Sequence, residues 1–329
     1  MDGISESTLR SLLLPDLGDA GPAFEHTLRQ AIHCRGVALH GGQQVNLLLL
    51  PAAAGTGIVF RRTDLGLDLP ARHDWVSDTR LCTLLSDTER PELRVGTVEH
   101  LLAALAACGV DNAVAELDGP EVPVLDGSAA PFVFLIDCAG RTAQPVLRRV
   151  IEIMRPVRVE EGEAWAELRP HDADVASSPR LLLSMRIDFR AAAIGRQSLS
   201  LELSEVEFRT ALQHARTFTQ VQEIDALRAA GLARGGSLEN AVVVDGTRVL
   251  NPGGLRMGDE FVRHKMLDAV GDLSLAGARL HGRFVGHRSG HRLNNLVLRA
   301  LLADSDAWRW AALPAEPEQR VSRIMDRAA

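Results

Sequence analysis

The sequence is poor in cysteine, lacks long apolar runs and has a deficit of positive charge. No apolar run approaches the roughly 20 residues needed to span a bilayer, which excludes a membrane-spanning helix. The net charge of −7 argues against a surface that binds nucleic acid or inserts stably into a membrane. The four cysteines lie far apart with no C-x-x-C pair, so we expect neither a zinc knuckle nor disulfides, but reduced and mostly buried thiols: Cys34, Cys82, Cys108 and Cys138.

Lysine is almost absent as well. Lys265 is the only lysine, although the chain has 36 lysines and arginines in total. At the amino terminus, positions 1–16 have no cationic start before a short leucine run, so no signal peptide is predicted. We therefore expect a cytoplasmic protein.

The length of 329 residues suggests two domains, at about 100–200 residues each. Positions 1–24 contain Gly18, Gly21 and Pro22, which break regular structure, so we interpret them as an extension of unknown role. We place a first α+β domain at 25–145 and a second at 146–329.

Both predicted domains show strands followed by helices. In the first, AIHCRGVALHGGQQVNLLLLPA reads as two strands turning at Gly41-Gly42, GIVFRRTDL as a third, Thr97–Leu105 as a helix that stops at Gly109, NAVAELDG as a strand and SAAPFVFLIDCAG as a helix.

In the second domain, VIEIMRPVRVEE, AWAELRP, LLLSMRIDF and SLSLEL read as strands. Ser204 and Glu207 are a capping-box candidate for a helix EFRTALQHA, and NAVVVDGTRVL is a hairpin turning at Asp245-Gly246. The helix RHKMLDAVGD, the strand ARLHGRFVGH and the helix RLNNLVLRALLAD follow.

The two predicted domains share an order of helix, strand and helix after their sheets. Each first helix starts with a charged residue and a histidine, Glu99-His100 and Arg263-His264. Runs of strands followed by helices indicate α+β layers. We therefore predict two similar α+β sandwiches packed face to face, with His100 and His264 meeting between them.

Three polar side chains interrupt the apolar helix 263–272. At 3.6 residues per turn, His264, Asp268 and Asp272 form one stripe. A catalytic zinc site has three protein ligands and one open position, which His264, Asp268 and His100 can provide. Glu99 could then act as a base for the attacking water.

Each of these residues also has an ordinary structural interpretation. His100 alone is more typical of a satisfied core or cap residue, and His264 with Asp268 of an exposed ion pair. Asp272 alone is more typical of a solvated helix residue. His287 and His291, in the turn GHRSGH, fit a surface turn with solvated imidazoles. There is no H-E-x-x-H motif.

Longer motifs resemble a known family. TVEHLLAALAACGVDNAVAELDGPEVPVLDGSAAPF, RTF, DEFVRHKMLDAVGDL and SGHRLNN closely resemble the zinc-dependent UDP-3-O-(3-hydroxyacyl)-N-acetylglucosamine deacetylases, over about positions 29–310. The resemblance implies a two-domain α+β fold with the site between the halves. It also implies removal of the N-acetyl group from a UDP-sugar, an early committed step of lipid A biosynthesis in Gram-negative bacteria.

The resemblance further implies roles for individual residues. His100, His264 and Asp268 would hold one Zn²⁺ per chain, and Glu99 would take a proton from the attacking water. His291, kept cationic by Asp272, would stabilise the oxyanion and protonate the leaving amine.

By the same resemblance, Thr217 would polarise the acetyl carbonyl, Lys265 would bind the sugar diphosphate and Phe218 would pack against the substrate. The protein is expected to be a monomer. Two alternatives remain: a non-catalytic protein that binds a UDP-sugar or acyl chain on the same fold, and a structural protein with a histidine-stabilised core.

Overall fold

The computed structural model describes residues 23–171 and 180–312. Most of the predicted extension, 1–22, lies outside the described residues, while its last residue, Phe24, begins the first strand. Within the described ranges, no helix combines the length and apolar character needed to cross a membrane.

The first group of elements confirms each strand and helix predicted for that part of the sequence. The elements are β1 (Phe24–Leu28), β2 (Ile32–Val37), β3 (Gln44–Pro51), β4 (Ile58–Arg62), β5 (Leu67–Pro70), a 3₁₀ turn (His73–Trp75), β6 (Val76–Asp78), β7 (Leu84–Ser86), β8 (Arg94–Val95), α1 (Glu99–Ala107), β9 (Ala113–Leu117), α2 (Ala130–Ala139) and β10 (Arg141–Leu147). The β2–β3 pairing is antiparallel around Gly41-Gly42, as predicted.

The second group contains the longer sheet. Its elements are β11 (Arg149–Ile153), β12 (Val157–Glu161), β13 (Ala164–Arg169), β14 (Leu181–Asp188), β15 (Arg196–Glu202), α3 (Glu205–Glu207), a π-helix (Phe208–Leu212), β16 (Phe218–Gln220), α4 (Val221–Ala229), β17 (Val242–Asp245), β18 (Arg248–Val249), α5 (Glu260–Ser274), β19 (Arg279–His287), α6 (His291–Ala303) and β20 (Trp308–Ala312).

Strand pairing divides the described chain into two parts and confirms the α+β class. The first part has a five-stranded sheet of order β2-β3-β9-β4-β5 and two small sheets, β1-β10 and β6-β7-β8. The second has a sheet of order β12-β13-β19-β11-β20, to which β14 and β15 add, and a small sheet β16-β17-β18. Among the described residues no ladder joins the two parts. The division at 145/146 falls inside β10, and we keep two domains as a proposal.

The helices lie where the two parts meet. Helices α5 and α6 pack on the seven-stranded sheet, α2 packs against β2, and α1 contacts both α2 and α5. Nearly every residue of α1 is buried, because both sides of this short apolar helix are covered. The helix layer therefore lies between the sheets and joins the halves.

Two helices differ from the sequence prediction. Helix α1 begins with Glu99-His100, as predicted, but helix α5 begins at Glu260. His264 therefore lies one turn inside α5, and the predicted Arg263-His264 helix start is wrong. The extra turn forms because the buried Glu260 carboxylate pairs with Arg216, at 2.8 Å. The Ser204 hydroxyl does accept a bond from the amide of Glu207 at 3.1 Å, but the helix after it is one α-turn followed by a π-helix.

The prediction of free and mostly buried thiols is confirmed only for the free state. All four thiols are free, as expected, but only Cys108 is buried. Cys138 is exposed because it shares the solvent-facing side of α2 with Phe134, which is 66% exposed.

A close contact between the two halves depends on one glycine in α5. A Cβ atom at Gly271 would lie 2.0 Å from the carbonyl oxygen of Glu99, the first residue of α1. Glycine lowers helix stability relative to alanine. The close approach of the two backbones explains why a glycine nevertheless occupies position 271.

We expect Gly271→Ala to destabilise the protein by about 1–3 kcal/mol or more, because the added methyl group must push α1 and α5 apart. Chemical denaturation would measure this loss. Gly258→Ala is the matched control, since a Cβ there meets nothing within 4 Å. Equal stability of the two variants would contradict the interpretation of the contact.

Candidate active site

Three buried side chains from the two halves converge between α1 and α5. The His100 and His264 rings lie 5.0 Å apart between centroids, which confirms that they meet. Oδ1 of Asp268 lies 3.5 Å from Nε2 of His100 and 3.3 Å from Nε2 of His264. All three residues are at most 3% exposed. An exposed His264–Asp268 ion pair is thereby ruled out.

The chemistry of this group fits a metal ion. Oδ1 of Asp268 is buried without a hydrogen bond among the described residues, and a buried charged acceptor needs a partner. Bonds of about 2.0–2.1 Å at tetrahedral angles place neighbouring ligand atoms about 3.3 Å apart, which matches the observed spacing. These three residues could therefore hold a metal ion.

Hydrogen bonding prepares His264 as a ligand. Its Nδ1–H donates to the carbonyl of Ala215 at 3.1 Å, which leaves the lone pair of Nε2 facing Asp268. Burial lowers the pKa of His264 to about 3. The imidazole is consequently neutral, as metal binding requires.

Glu99 lies beside this group at the start of α1. Its Oε2 accepts a hydrogen bond from the amide of Thr83 at 3.1 Å, and its Oε1 lies 3.8 Å from Nε2 of His291. The residue is 3% exposed. Burial raises the pKa of Glu99, although the charge of His291 opposes this shift. A carboxylate with a raised pKa is a stronger base than an exposed glutamate.

His291 is oriented by Asp272. Its Nδ1 donates to Oδ2 of Asp272 at 2.9 Å, and both side chains are buried. Neither the solvated interpretation of Asp272 nor that of His291 holds. His287, from the same turn, lies apart from this group and stacks on Trp165.

The protonated form of His291 is favoured by neighbouring carboxylates. Burial alone would lower the pKa of His291, and the positive end of the α6 dipole acts in the same direction, because the helix begins at this residue. The charges of Asp272, Asp268 and Glu99 outweigh both effects and raise the pKa to about 9. His291 is therefore an imidazolium near neutral pH.

Lys265 connects the group of His100, His264 and Asp268 to a cleft. Its Nζ donates to Oδ2 of Asp268 at 2.8 Å. Burial would lower the pKa of Lys265, but Asp268 reverses the effect and raises it. The cleft beside the ammonium has a volume of about 240 Å³ and is lined by Ile187, Asp188, Phe189, Lys265, Arg288 and Ser289.

The segment of Thr217 and Phe218 borders the same region. The Phe218 ring lies 6.1 Å from the His264 ring and 5.7 Å from Nζ of Lys265. Thr217 is partly buried, and its amide donates to Gly127 at 2.8 Å. Arg216, just before it, is fixed by the ion pair with Glu260.

Two residues that support the site were not predicted from the sequence. The Asn294 amide donates to Oδ2 of Asp272 at 2.9 Å, and the Thr83 hydroxyl donates to its Oδ1 at 2.5 Å. The sequence contains a signal for Asn294, because an asparagine on the buried face of an apolar helix needs a polar partner. It contains no signal for Thr83, since threonine is common in and next to strands.

An α+β protein with a buried His–His–Asp group beside a glutamate and a cationic histidine has the residue set of a mononuclear metallohydrolase. The sequence profile of one family, described as LpxC: UDP-3-O-acyl N-acetylglycosamine deacetylase, matches residues 25–303. The chain belongs to this family, as the motifs indicated.

Curated relatives match this chain over almost their full length. The chain is 49% identical to the UDP-3-O-acyl-N-acetylglucosamine deacetylase of Idiomarina loihiensis over 296 residues, which cover 89% of this chain and 94% of the relative. It is 45% identical to that of Shewanella frigidimarina and 44% identical to that of Aliivibrio fischeri, with 91% of this chain and 96% of each relative covered.

We expect the pKa of His291 in the metal-free protein to be about 9 and to fall in Asp272→Asn, because the neutral amide no longer stabilises the imidazolium. A pKa above the ordinary value of about 6.5 means that this interaction stabilises the fold fully below about pH 6.5 and is lost as the pH rises through about 9. A histidine NMR titration would measure both pKa values. Asp306→Asn, an exposed carboxylate, is the control, and an equal pKa in both variants would contradict the assignment.

Proposed function

We propose that this chain hydrolyses the N-acetyl group of UDP-3-O-(3-hydroxyacyl)-N-acetylglucosamine in a zinc-dependent reaction that releases acetate and the free amine. Family membership makes the chain a deacetylase that acts on an amide. The observation that carries the mechanism is the convergence of His100, His264 and Asp268 next to Glu99 and His291.

In this proposal, His100, His264 and Asp268 hold one Zn²⁺ per chain. Two imidazoles and one carboxylate are a usual ligand set for catalytic zinc and leave a position for water or substrate. When bound, zinc acts as a Lewis acid on a carbonyl oxygen and lowers the pKa of water. Lys265 and Ala215 orient two of the ligands from outside.

Glu99 is the proposed general base. The Thr83 amide holds Oε2, while Oε1 is available to take a proton from the water that attacks the acetyl carbon. The raised pKa of Glu99 suits this step, because the carboxylate can keep the proton until it is passed on.

His291 is the proposed general acid. Because Nδ1 is bonded to Asp272, Nε2 is the free donor and can stabilise the oxyanion that forms when water adds to the carbonyl. When the C–N bond breaks, His291 donates its proton to the nitrogen. The products are acetate and the sugar amine, and the proton taken by Glu99 restores the histidine.

Three further residues complete the proposed substrate site. Thr217 polarises the acetyl carbonyl, Phe218 packs against the substrate, and Lys265 binds the sugar diphosphate. The position of Lys265 between Asp268 and the cleft supports this role, since an ammonium there can face an anionic group. We also propose that the protein is a cytoplasmic monomer.

The first experiment separates catalysis from metal binding. We expect Glu99→Gln to retain zinc near one ion per chain while kcat falls by about two to four orders of magnitude, as for loss of a general base. His264→Ala should lose both zinc and activity. Acetate release from the UDP-sugar and metal analysis of the same samples would measure these effects.

A non-catalytic UDP-sugar binding protein is the alternative, and the same experiment tests it. Wild-type protein that binds the UDP-sugar without releasing acetate would favour the alternative. A Glu99→Gln variant with wild-type turnover would remove Glu99 from the mechanism, and His264→Ala with full zinc content would remove His264 from the metal site. His287→Ala, outside the group, is the histidine control.

The second experiment concerns the lone lysine. An ammonium is a compact charge, whereas guanidinium is wide and planar, and Lys265 lies in a confined position against Asp268. We expect Lys265→Arg to fold but to lose much of kcat/KM. Lys265→Ala should lose as much or more, with zinc affinity reduced about 10–100-fold because Asp268 loses its donor.

Steady-state kinetics and competition with a zinc chelator would measure these effects. Arg288→Lys is the control, since it keeps a charge in the same cleft without a bond to Asp268. Wild-type kcat/KM in Lys265→Arg would show that the site does not need an ammonium at position 265.

A further inference from the structure

Thr83 touches both carboxylates of the proposed acid–base group. It lies just before β7 and is 1% exposed. Its amide donates to Oε2 of Glu99 at 3.1 Å, and its hydroxyl donates to Oδ1 of Asp272 at 2.5 Å. One residue of the first half therefore binds the base and also the aspartate that orients His291.

These bonds leave the second oxygen of each carboxylate directed at the same imidazole. Oδ2 of Asp272 lies 2.9 Å from Nδ1 of His291, and Oε1 of Glu99 lies 3.8 Å from its Nε2. Thr83, Asp272, His291 and Glu99 thus form a closed ring of contacts. Rotation of either carboxylate would break a bond to Thr83.

We propose that Thr83 is a positioning residue that fixes the general base and the general acid relative to each other. This inference rests on the proposed function, because the roles of Glu99 and His291 do. Thr83 does not act on the substrate itself, since both of its donors are used by carboxylates. Hydrogen bonds to ionised groups are the strong ones, so the hydroxyl holds Asp272 firmly.

The hydroxyl bond of Thr83 to Asp272 can be removed by mutation while its amide bond to Glu99 is kept. Thr83→Val keeps the shape and the amide bond to Glu99 but removes the hydroxyl bond to Asp272. We expect kcat to fall by about 10–100-fold, as for a misplaced catalytic group, with KM and zinc content close to wild type. Thr83→Ser retains the hydroxyl and should recover most of the loss.

A matched control comes from another buried threonine. The Thr27 hydroxyl donates to the carbonyl of Asn112 at 2.7 Å, far from this ring in the sequence. The same hydroxyl accepts from the amide of Ala52 at 2.9 Å, so Thr27→Val loses two hydrogen bonds and should lower stability without lowering kcat. It measures the effect of a purely structural loss.

A double-mutant cycle tests whether Thr83 acts through Asp272. If it does, Thr83→Val should lower kcat much less in an Asp272→Asn background than in wild type, because contacting residues are not additive. The zinc-free protein gives a second readout. The low-field proton resonance of the His291 Nδ1–H should shift in Thr83→Val and return in Thr83→Ser.

Several results would overturn the proposal. These are wild-type kcat in Thr83→Val, full additivity with Asp272→Asn, an unchanged proton resonance, or a loss of kcat matched by the Thr27→Val control. Failure of the proposed function looks different, because the wild-type protein would then release no acetate. The proton resonance of the zinc-free protein would still report on Thr83 in that case.

Discussion

The close contact of α1 and α5 at Gly271 is the constraint on which the site depends. With a glycine at this point, the backbone of α5 reaches the carbonyl of Glu99. Asp268 and His264 lie about one and two turns before this contact, and His100 follows Glu99 directly. The distances among the three possible metal ligands are therefore set by the packing of two backbones, which is stiffer than the packing of side chains alone.

Charge balance explains why so many ionisable groups can be buried together. Glu99, Asp268 and Asp272 are three carboxylates, and Lys265 and His291 are two cations, all in contact. When all five are ionised, one negative charge remains uncompensated. Buried charges without partners are costly, and the divalent cation proposed between the histidines and Asp268 would more than compensate this single negative charge.

Much of this arrangement could be predicted from the sequence, but not all of it. The helical period placed His264, Asp268 and Asp272 on one face, and the family motifs connected them with Glu99, His100 and His291. Thr83 could not be found in this way, because it and Asp272 are 189 positions apart and no local pattern marks it. The start of α5 was missed for a similar reason, since Glu260 depends on the distant Arg216.

The order of strand pairing has a consequence for synthesis on the ribosome. Every strand up to β10 finds its partners by Leu147, whereas β11, the first strand of the second part, pairs with β19 and β20 near the end of the described chain. A nascent chain can complete the first group of sheets early but must wait for Trp308–Ala312 to close the second. The group of His100, His264 and Asp268 also needs α5 (Glu260–Ser274), so it is completed late in synthesis.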